Sequence, residues 1–269
     1  MIVGICGLGF VGQAIESFMR DALTNKLIDG LVVYDKYKQI NNVEALISAD
    51  LLYICIPTPY EEPIKSYNMN ELDSTLALLA KMQYNGVILI KSTVLPDYCE
   101  TVNASHKYLK IIHNPEFLSA ATARADFKNQ KHIILGYTTW SESSVNSVKT
   151  FYETLFPLAK ISITMDTSSA LVKLACNSFY ATKIQFFTEL FLLCNQLEID
   201  YEEVKRLMIT NQWINPMHTS VPGHDGQLSF GGACLPKDIN ALNQFMILKK
   251  THNGVIDATI NERNHMRDL

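Results

Sequence analysis

The chemistry in this chain is densest at Phe230-Gly231-Gly232-Ala233-Cys234-Leu235-Pro236-Lys237-Asp238. Proline suits the first residue of a helix, so Pro236 places Cys234 just ahead of a helix N-terminus, where the macrodipole and Lys237 both favour a thiolate. A thiolate there is a nucleophile, and Gly231 and Gly232 would let a substrate approach it closely. By position alone the same cysteine could be an inert core thiol. A second group lies earlier, in an apolar stretch, where Lys173 and Asn177 stand four residues apart and so share one helical face. An ammonium and an amide side by side can hold a developing oxyanion. They could equally be a lysine reaching for water along its own stem and an asparagine bonding locally.

The third group is a turn. Gly7-Leu8-Gly9-Phe10-Val11-Gly12 follows an apolar strand and opens a helix, the setting in which GxGxxG cradles a pyrophosphate on backbone N–H groups. A second strand ends at Tyr34-Asp35, which puts a carboxylate 23 residues beyond Gly12, close to the separation of a ribose-binding acid. Such an acid accepts hydrogen bonds from a ribose diol and repels a 2′-phosphate, so Asp35 favours NAD over NADP. The alternative is that the glycines only make a turn and Asp35 only ends a strand. Thr58, in Pro57-Thr58-Pro59, and Thr93, after Ser92, fall at the carboxyl ends of further strands, where sheets of this type bind ligands.

These groups need a scaffold, and the apolar periodicity supplies one. It predicts strands at 2–6, 31–34, 51–55, 86–90, 110–113, 132–135 and 161–164, alternating with helices at 11–22, 70–82, 97–106 and 141–154. That order is the α/β pattern of a parallel, doubly wound Rossmann-type sheet with helices on both faces. Beyond it the pattern turns wholly helical: a long helix from Thr167 or Ser168 to about Asn195, then 200–210, 237–249 and 254–266. The expected division is therefore 1–166 for a nucleotide-binding domain and 167–269 for an all-helical domain carrying the cysteine. Between them in character lies 211–235, rich in proline and glycine, which reads as a long functional loop.

Composition narrows the class. With 269 residues, 48% hydrophobic, 19% charged and a net charge of −4, the chain can bury a sizeable core and presents no basic field, so nucleic acid is not an expected partner. Lys173, Asn177, Lys183 and Glu189 interrupt the longest apolar run, which argues for a buried helix and against a membrane span. Met1–Cys6 lacks a basic leader and enters the glycine turn directly, so it reads as a strand and not a signal peptide. The six cysteines show no metal-type spacing and suit a reducing, cytoplasmic interior; no metal is expected.

Several of these segments occur together, in this order, in one family. Gly7–Gly12, Asn114-Pro115-Glu116-Phe117-Leu118, the Lys173/Asn177 helix continuing through Lys183-Ile184, Val221–Gly226 and Phe230–Asp238 resemble the UDP-glucose/GDP-mannose dehydrogenase family over essentially the whole chain. The resemblance implies oxidation of a sugar nucleotide's primary alcohol to a carboxylate with two molecules of NAD, Cys234 being the covalent nucleophile. It gives Lys173 and Asn177 the oxyanion, Asp238 a water and the lysine, Thr93 a water, and Glu116 a part in hydrolysis. Gly7, Gly9, Phe10, Val11, Gly12, Asp35, Thr58, Thr93 and Lys237 would face the cofactor. Phe117, Leu118, Phe230 and Gly231, with Lys173 and Asn177, would face the substrate. Helices of this kind pair between subunits in the family, so a homodimer through 168–195 is implied.

The sequence departs from the family pattern in three places. Family chains usually continue into a second Rossmann-like domain that grips the nucleotide, whereas this sequence stops at Leu269. Ala120 stands where a second glutamate is frequent, and Trp213 where an arginine reaches a partner's site. Substrate grip is what these changes put in question. Two other readings therefore stay open: a degenerate NAD-binding protein without turnover, and a one-step hydroxyacid dehydrogenase, which would need no cysteine.

Overall fold

The structure is a computed structural model that describes residues 1–267, so Asp268 and Leu269, the end of the expected domain 167–269, lie outside the described residues. In chain order it opens with β1 (Ile2–Cys6), α1 (Phe10–Thr24), β2 (Gly30–Tyr34), a 3₁₀ turn at Val43–Ser48 and β3 (Leu51–Ile54). A two-stranded hairpin follows, β4 (Tyr60–Glu61) and β5 (Ser66–Tyr67). Next come α2 (Asn70–Lys81), β6 (Val87–Ile90), α3 (Tyr98–Ser105), β7 (Lys110–His113), α4 (Ala123–Lys128), β8 (His132–Tyr137), α5 (Glu142–Leu155) and β9 (Lys160–Met165). The remainder is helical: α6 (Asp166–Gln196), α7 (Tyr201–Ile209), α8 (Leu235–Leu248) and α9 (Gly254–Arg267).

Two compact units result. The first comprises Met1–Pro59 and Asn68–Lys173; the second comprises the hairpin Tyr60–Tyr67 and the chain from Leu174 onward. The hairpin was not expected from the sequence, nor were α4 and the 3₁₀ turn. No helix or strand interrupts 210–234, as the proline and glycine content there predicts.

In the first unit the sheet order is β2-β1-β3-β6-β7-β8-β9. All neighbours are parallel except β7 and β8, which pair antiparallel through Ile112–Tyr137 and His113–Gly136. The sheet is therefore mixed, not wholly parallel as expected. Period-two alternation explains how both faces are covered. Val3, Ile5, Leu51, Tyr53, Leu89 and Ile112 pack on one side with Ile15 and Met19 of α1 and Tyr152 of α5. Leu52, Ile54, Ile88, Ile90 and Ile111 pack on the other with Leu72, Leu76 and Leu79 of α2. Each strand thus sends alternate residues to opposite cores, and its carboxyl end is left to the loops that carry polar side chains.

Candidate active-site residues

The glycine turn of the first unit has the stereochemistry that its sequence requires. Gly7 adopts φ +90°, and a Cβ on it would lie 2.8 Å from the carbonyl oxygen of Cys55, so both backbone angle and space demand glycine. At Gly12 a Cβ would fall 1.9 Å from the Gly7 oxygen, which fixes the close contact of α1 with the turn. Gly9 differs: a Cβ there would meet nothing within 4 Å. It precedes α1, whose N-terminus has no side-chain cap and no acidic residue in its first turn. A bare helix N-terminus free of carboxylates suits a phosphate anion.

Asp35 closes this turn. Its Oδ2 accepts from the Leu8 N–H at 2.7 Å, and its Oδ1 accepts from the N–H groups of Tyr37 at 3.0 Å and Lys38 at 2.8 Å. Burial pushes the carboxyl up, but these three donors and the Lys38 charge outweigh it and hold the group below the usual carboxylate range. The acid is thus ionised at neutral pH, and with about four acceptor directions on a carboxylate it retains capacity for a ribose hydroxyl. Beside it, between the end of β2 and the 3₁₀ turn, lies a cleft of about 370 Å³ lined by Tyr34, Asp35, Lys36, Asn41, Asn42 and Glu44. That volume is in the range of small-molecule sites. Phe10 is 41% exposed and Val11 half-buried, so only the former offers a broad face. Turn, bare helix end and ionised acid together fit a dinucleotide.

The loops at the ends of β3 and β6 are tied to each other. Thr58 is buried and its hydroxyl donates to the Thr93 carbonyl at 2.7 Å, while Ser92 Oγ donates to the Ile56 carbonyl at 2.6 Å. Nearby, Glu116 accepts the Leu118 N–H at 2.7 Å on Oε2 and the Lys173 ammonium at 3.1 Å on Oε1, in a pair whose side chains are 9% and 6% exposed. Lys173 Nζ also sits 5.4 Å from the ring centroid of Phe117. The lysine therefore does not run out to water; it is committed to a buried carboxylate. A second buried lysine, Lys91, accompanies this pair and has no counterpart in the sequence reading. Burial pulls its ammonium down to about 8, with Cys55 and Glu116 opposing that shift and Lys173 adding to it. Its only signal in the sequence is a charge directly after the apolar run 87–90.

In the second unit the organising group is Asp238, which is fully buried. Its Oδ2 accepts from Asn177 Nδ2 at 2.6 Å, and its Oδ1 accepts from the Tyr67 hydroxyl and from Lys237 Nζ, each at 2.5 Å. The Lys237 ammonium also lies 4.7 Å from the centroid of the Tyr67 ring. Burial first, and the Asp238 charge next, push the Tyr67 phenol well above its ordinary value, so it serves as a donor. Asn177 is thus held through a carboxylate and does not bond locally. Tyr67, like Lys91, escaped the sequence reading; it arrives on β5, 171 positions before its partner, and no local pattern marks it.

Cys234 is half-buried and is the residue preceding α8, with Pro236 in the second helical position, one later than expected. Its carbonyl accepts the Asp238 N–H at 3.1 Å, so nucleophile candidate and buried acid share the first turn. Phe230 is buried against Ala181 and Ile239, and Gly231 and Gly232 follow it, the latter at φ +77°. Among the described residues no cluster of metal-ligating side chains occurs.

The chain can now be set beside known proteins. Residues 16–156 match the model of the NAD binding domain of the UDP-glucose/GDP-mannose dehydrogenase family, and residues 167–265 match that of its central domain. The UDP-glucose 6-dehydrogenase of Rickettsia felis is 32% identical over 242 residues, which are 86% of this chain and 50% of that protein. The chain therefore spans about half the length of such curated relatives. A UDP-glucose dehydrogenase from Pyrobaculum islandicum superposes with a TM-score of 0.79 at 20% identity, over 98% of this chain and 68% of the other. A 3-hydroxyisobutyrate dehydrogenase from Mycobacterium tuberculosis shares the fold at a TM-score of 0.69 and 15% identity, over 97% of this chain and 91% of its own. Both family domains are matched in order, the first over more than half of the sequence, and this chain belongs to the UDP-glucose/GDP-mannose dehydrogenase family.

Proposed function

We propose that this protein oxidises the primary alcohol of a sugar nucleotide, UDP-glucose or a close relative, to the carboxylate, with residues 1–166 binding NAD and 167–269 carrying the nucleophile. NAD, when bound, supplies the hydride acceptor for two oxidations. The alcohol first loses a hydride and a proton to give the aldehyde. An aldehyde has no hydride-bearing carbinol until something adds to it, and the Cys234 thiolate adds to form a thiohemiacetal. Loss of the second hydride from that carbon leaves a thioester. Water then displaces the sulfur, giving the carboxylic acid and returning the thiolate.

The other residues have roles suited to their surroundings. Lys173 and Asn177 stabilise the oxyanion of the addition and hydrolysis steps, the first as an ammonium, the second as an amide aligned by Asp238. Glu116, paired with Lys173, takes part in hydrolysis, and Thr93 orients the water. Asp238 acts as the anchor of Asn177: its side chain is fully buried, with Oδ2 on Asn177 and Oδ1 on Tyr67 and Lys237. Phe117, Leu118 and the backbone at Phe230–Gly231 contact the sugar, the Phe230 ring being buried, and Thr58, Phe10, Val11 and Lys237 contact the cofactor.

The observation that carries this reading over a one-step dehydrogenase is Cys234 in the first turn that also bears Asp238, because a one-step hydride transfer needs no thiol there. The test is stoichiometry. Across a panel of sugar nucleotides, one or a few should yield two NADH per sugar, with loss of turnover on alkylation of Cys234. A constant ratio of one would favour the hydroxyacid-type reaction; tight NAD binding without NADH formation on any of them would favour a binding protein.

A homodimer through α6 is part of the proposal. Phe179, Phe186 and Leu193 recur at intervals of seven residues and are 63%, 54% and 53% exposed, an apolar stripe that a second copy would cover. Phe186→Glu should convert the dimer to monomer in native mass measurements at micromolar concentration. A native protein already monomeric, or a variant still dimeric, would remove α6 as the interface.

A further inference from the structure

The segment that leads to Cys234 contains no regular element, so its path within the second unit depends on side chains. Three consecutive carbonyls of it are held by α9. Arg267 Nε donates to the Leu228 carbonyl at 2.8 Å and Nη2 to the Ser229 carbonyl at 2.8 Å. One helical turn earlier, Arg263 Nε donates to the Phe230 carbonyl at 3.2 Å, its guanidinium carbon 5.7 Å from the Phe230 ring centroid. The remaining donor of Arg267, Nη1, reaches Asp225 Oδ2 at 2.8 Å and Gln227 Oε1 at 3.0 Å, and the Arg267 side chain is only 7% exposed. The Arg267 guanidinium holds the Asp225 carboxyl below the usual carboxylate range.

Two further features show that the segment is wound around this ion pair. A Cβ on Gly231 would lie 2.5 Å from Asp225 Oδ2 and 2.6 Å from Arg267 Nη1, so a side chain there would have to displace the pair. Ser229 sits at φ 58° and is also gripped by α6: its hydroxyl donates to Gln185 Oε1 at 2.5 Å and its N–H to Thr188 Oγ1 at 3.3 Å. From Phe230 to Cys234 there are only three intervening residues, two of them glycines. Only Gly231, Gly232 and Ala233 therefore separate the held carbonyls from the residue that carries the sulfur.

We propose that Arg267, paired with Asp225, is a positioning residue for Cys234: its planar fork fixes the backbone of 228–231 and thereby sets the thiol at the start of α8. The assignment rests on the reading of Cys234 as the nucleophile, but its test does not require turnover. A lysine would not replace this arginine, because one ammonium cannot serve two carbonyls and a carboxylate in one plane.

The test compares unaltered protein with Arg267→Met, Arg267→Lys and Asp225→Asn. The readout is the rate of Cys234 alkylation by iodoacetamide, followed by peptide mass from about pH 6 to 10, the range in which thiols titrate. The pH midpoint of alkylation should rise by about half a unit or more in Arg267→Met and Asp225→Asn, with Arg267→Lys between them and the unaltered protein, as the sulfur loses its fixed place at the helix end. NAD affinity should not change. Midpoints within about 0.3 unit and rates within about twofold of the unaltered protein in both Arg267→Met and Asp225→Asn would overturn the assignment, since a purely structural arginine leaves the thiol's titration alone. If Arg267→Met does not fold, Asp225→Asn decides alone, because it keeps the size of the side chain and removes only the charge. Full two-step turnover in Cys234→Ser would sink the nucleophile reading, while the alkylation comparison would still decide the role of Arg267.

Discussion

Cys234→Ser should lower two-step turnover by about 10³-fold, which corresponds to ~4 kcal/mol in the barrier. The reason is the difference between a thiolate and a hydroxyl. Within the proposed reaction the first oxidation needs no nucleophile, so it survives the substitution. The second needs an anion to add to the aldehyde, and an alcohol at neutral pH offers almost none. A single-turnover experiment should therefore show one NADH equivalent formed at close to the normal rate and the second delayed. Two equivalents at unaltered rate would dismiss covalent catalysis. Because Cys234 precedes α8 and is half-buried, the exchange of sulfur for oxygen costs little packing, and stability should change by less than about 1 kcal/mol. A large loss of stability would show that the thiol has a packing role instead.

The second large effect is expected at the glycine turn, where two positions separate folding from binding. Gly12→Ala places a methyl 1.9 Å from the Gly7 oxygen and 2.9 Å from its carbonyl carbon. Neither atom can yield, since Gly7 is itself set at φ +90° against the Cys55 carbonyl. The substitution should cost about 3 kcal/mol or more, read as a shift in the urea midpoint, together with loss of NAD binding. Gly9→Ala adds the same methyl where nothing lies within 4 Å. It should leave the urea midpoint alone and weaken NAD by tenfold or more, because only a bound pyrophosphate would meet it (about 1.4 kcal/mol). If both variants bound NAD normally, the turn would not be the cofactor site.

How much of this was legible depended on whether the cause was local. The backbone of the glycine turn, the strand ending before Asp35 and the long helix were readable because each is dictated by residues within one or two elements: a φ only glycine tolerates, a helix N-terminus, an apolar run of suitable period. Lys173 and Asn177 were also readable as neighbours on a helix, but their partners were not. The sequence reading allowed Lys173 to reach water, and it is Glu116, 57 positions away, that holds it inside. The antiparallel course of β8 was hidden for a related reason. Ile133, Ile134 and Leu135 give the same apolar run in either direction, so the run itself carries no sign of its direction. The hairpin was missed because β4 and β5 have two residues each, too few for any periodicity, in a stretch that begins with proline. Tyr67 was lost with it.

The hairpin has a consequence for anyone dividing this protein. Residues 60–67 are encoded in the midst of the nucleotide-binding part, yet they are grouped with the helical part by compactness. A cut at the junction near Lys173 would therefore not yield two whole pieces. The downstream fragment would begin after the phenol that Asp238 accepts from, leaving a buried carboxylate one donor short. The upstream fragment would carry an orphaned ribbon with an apolar ring turned to solvent. Any shortened, shuffled or split version of the helical part therefore has to bring residues 60–67 along.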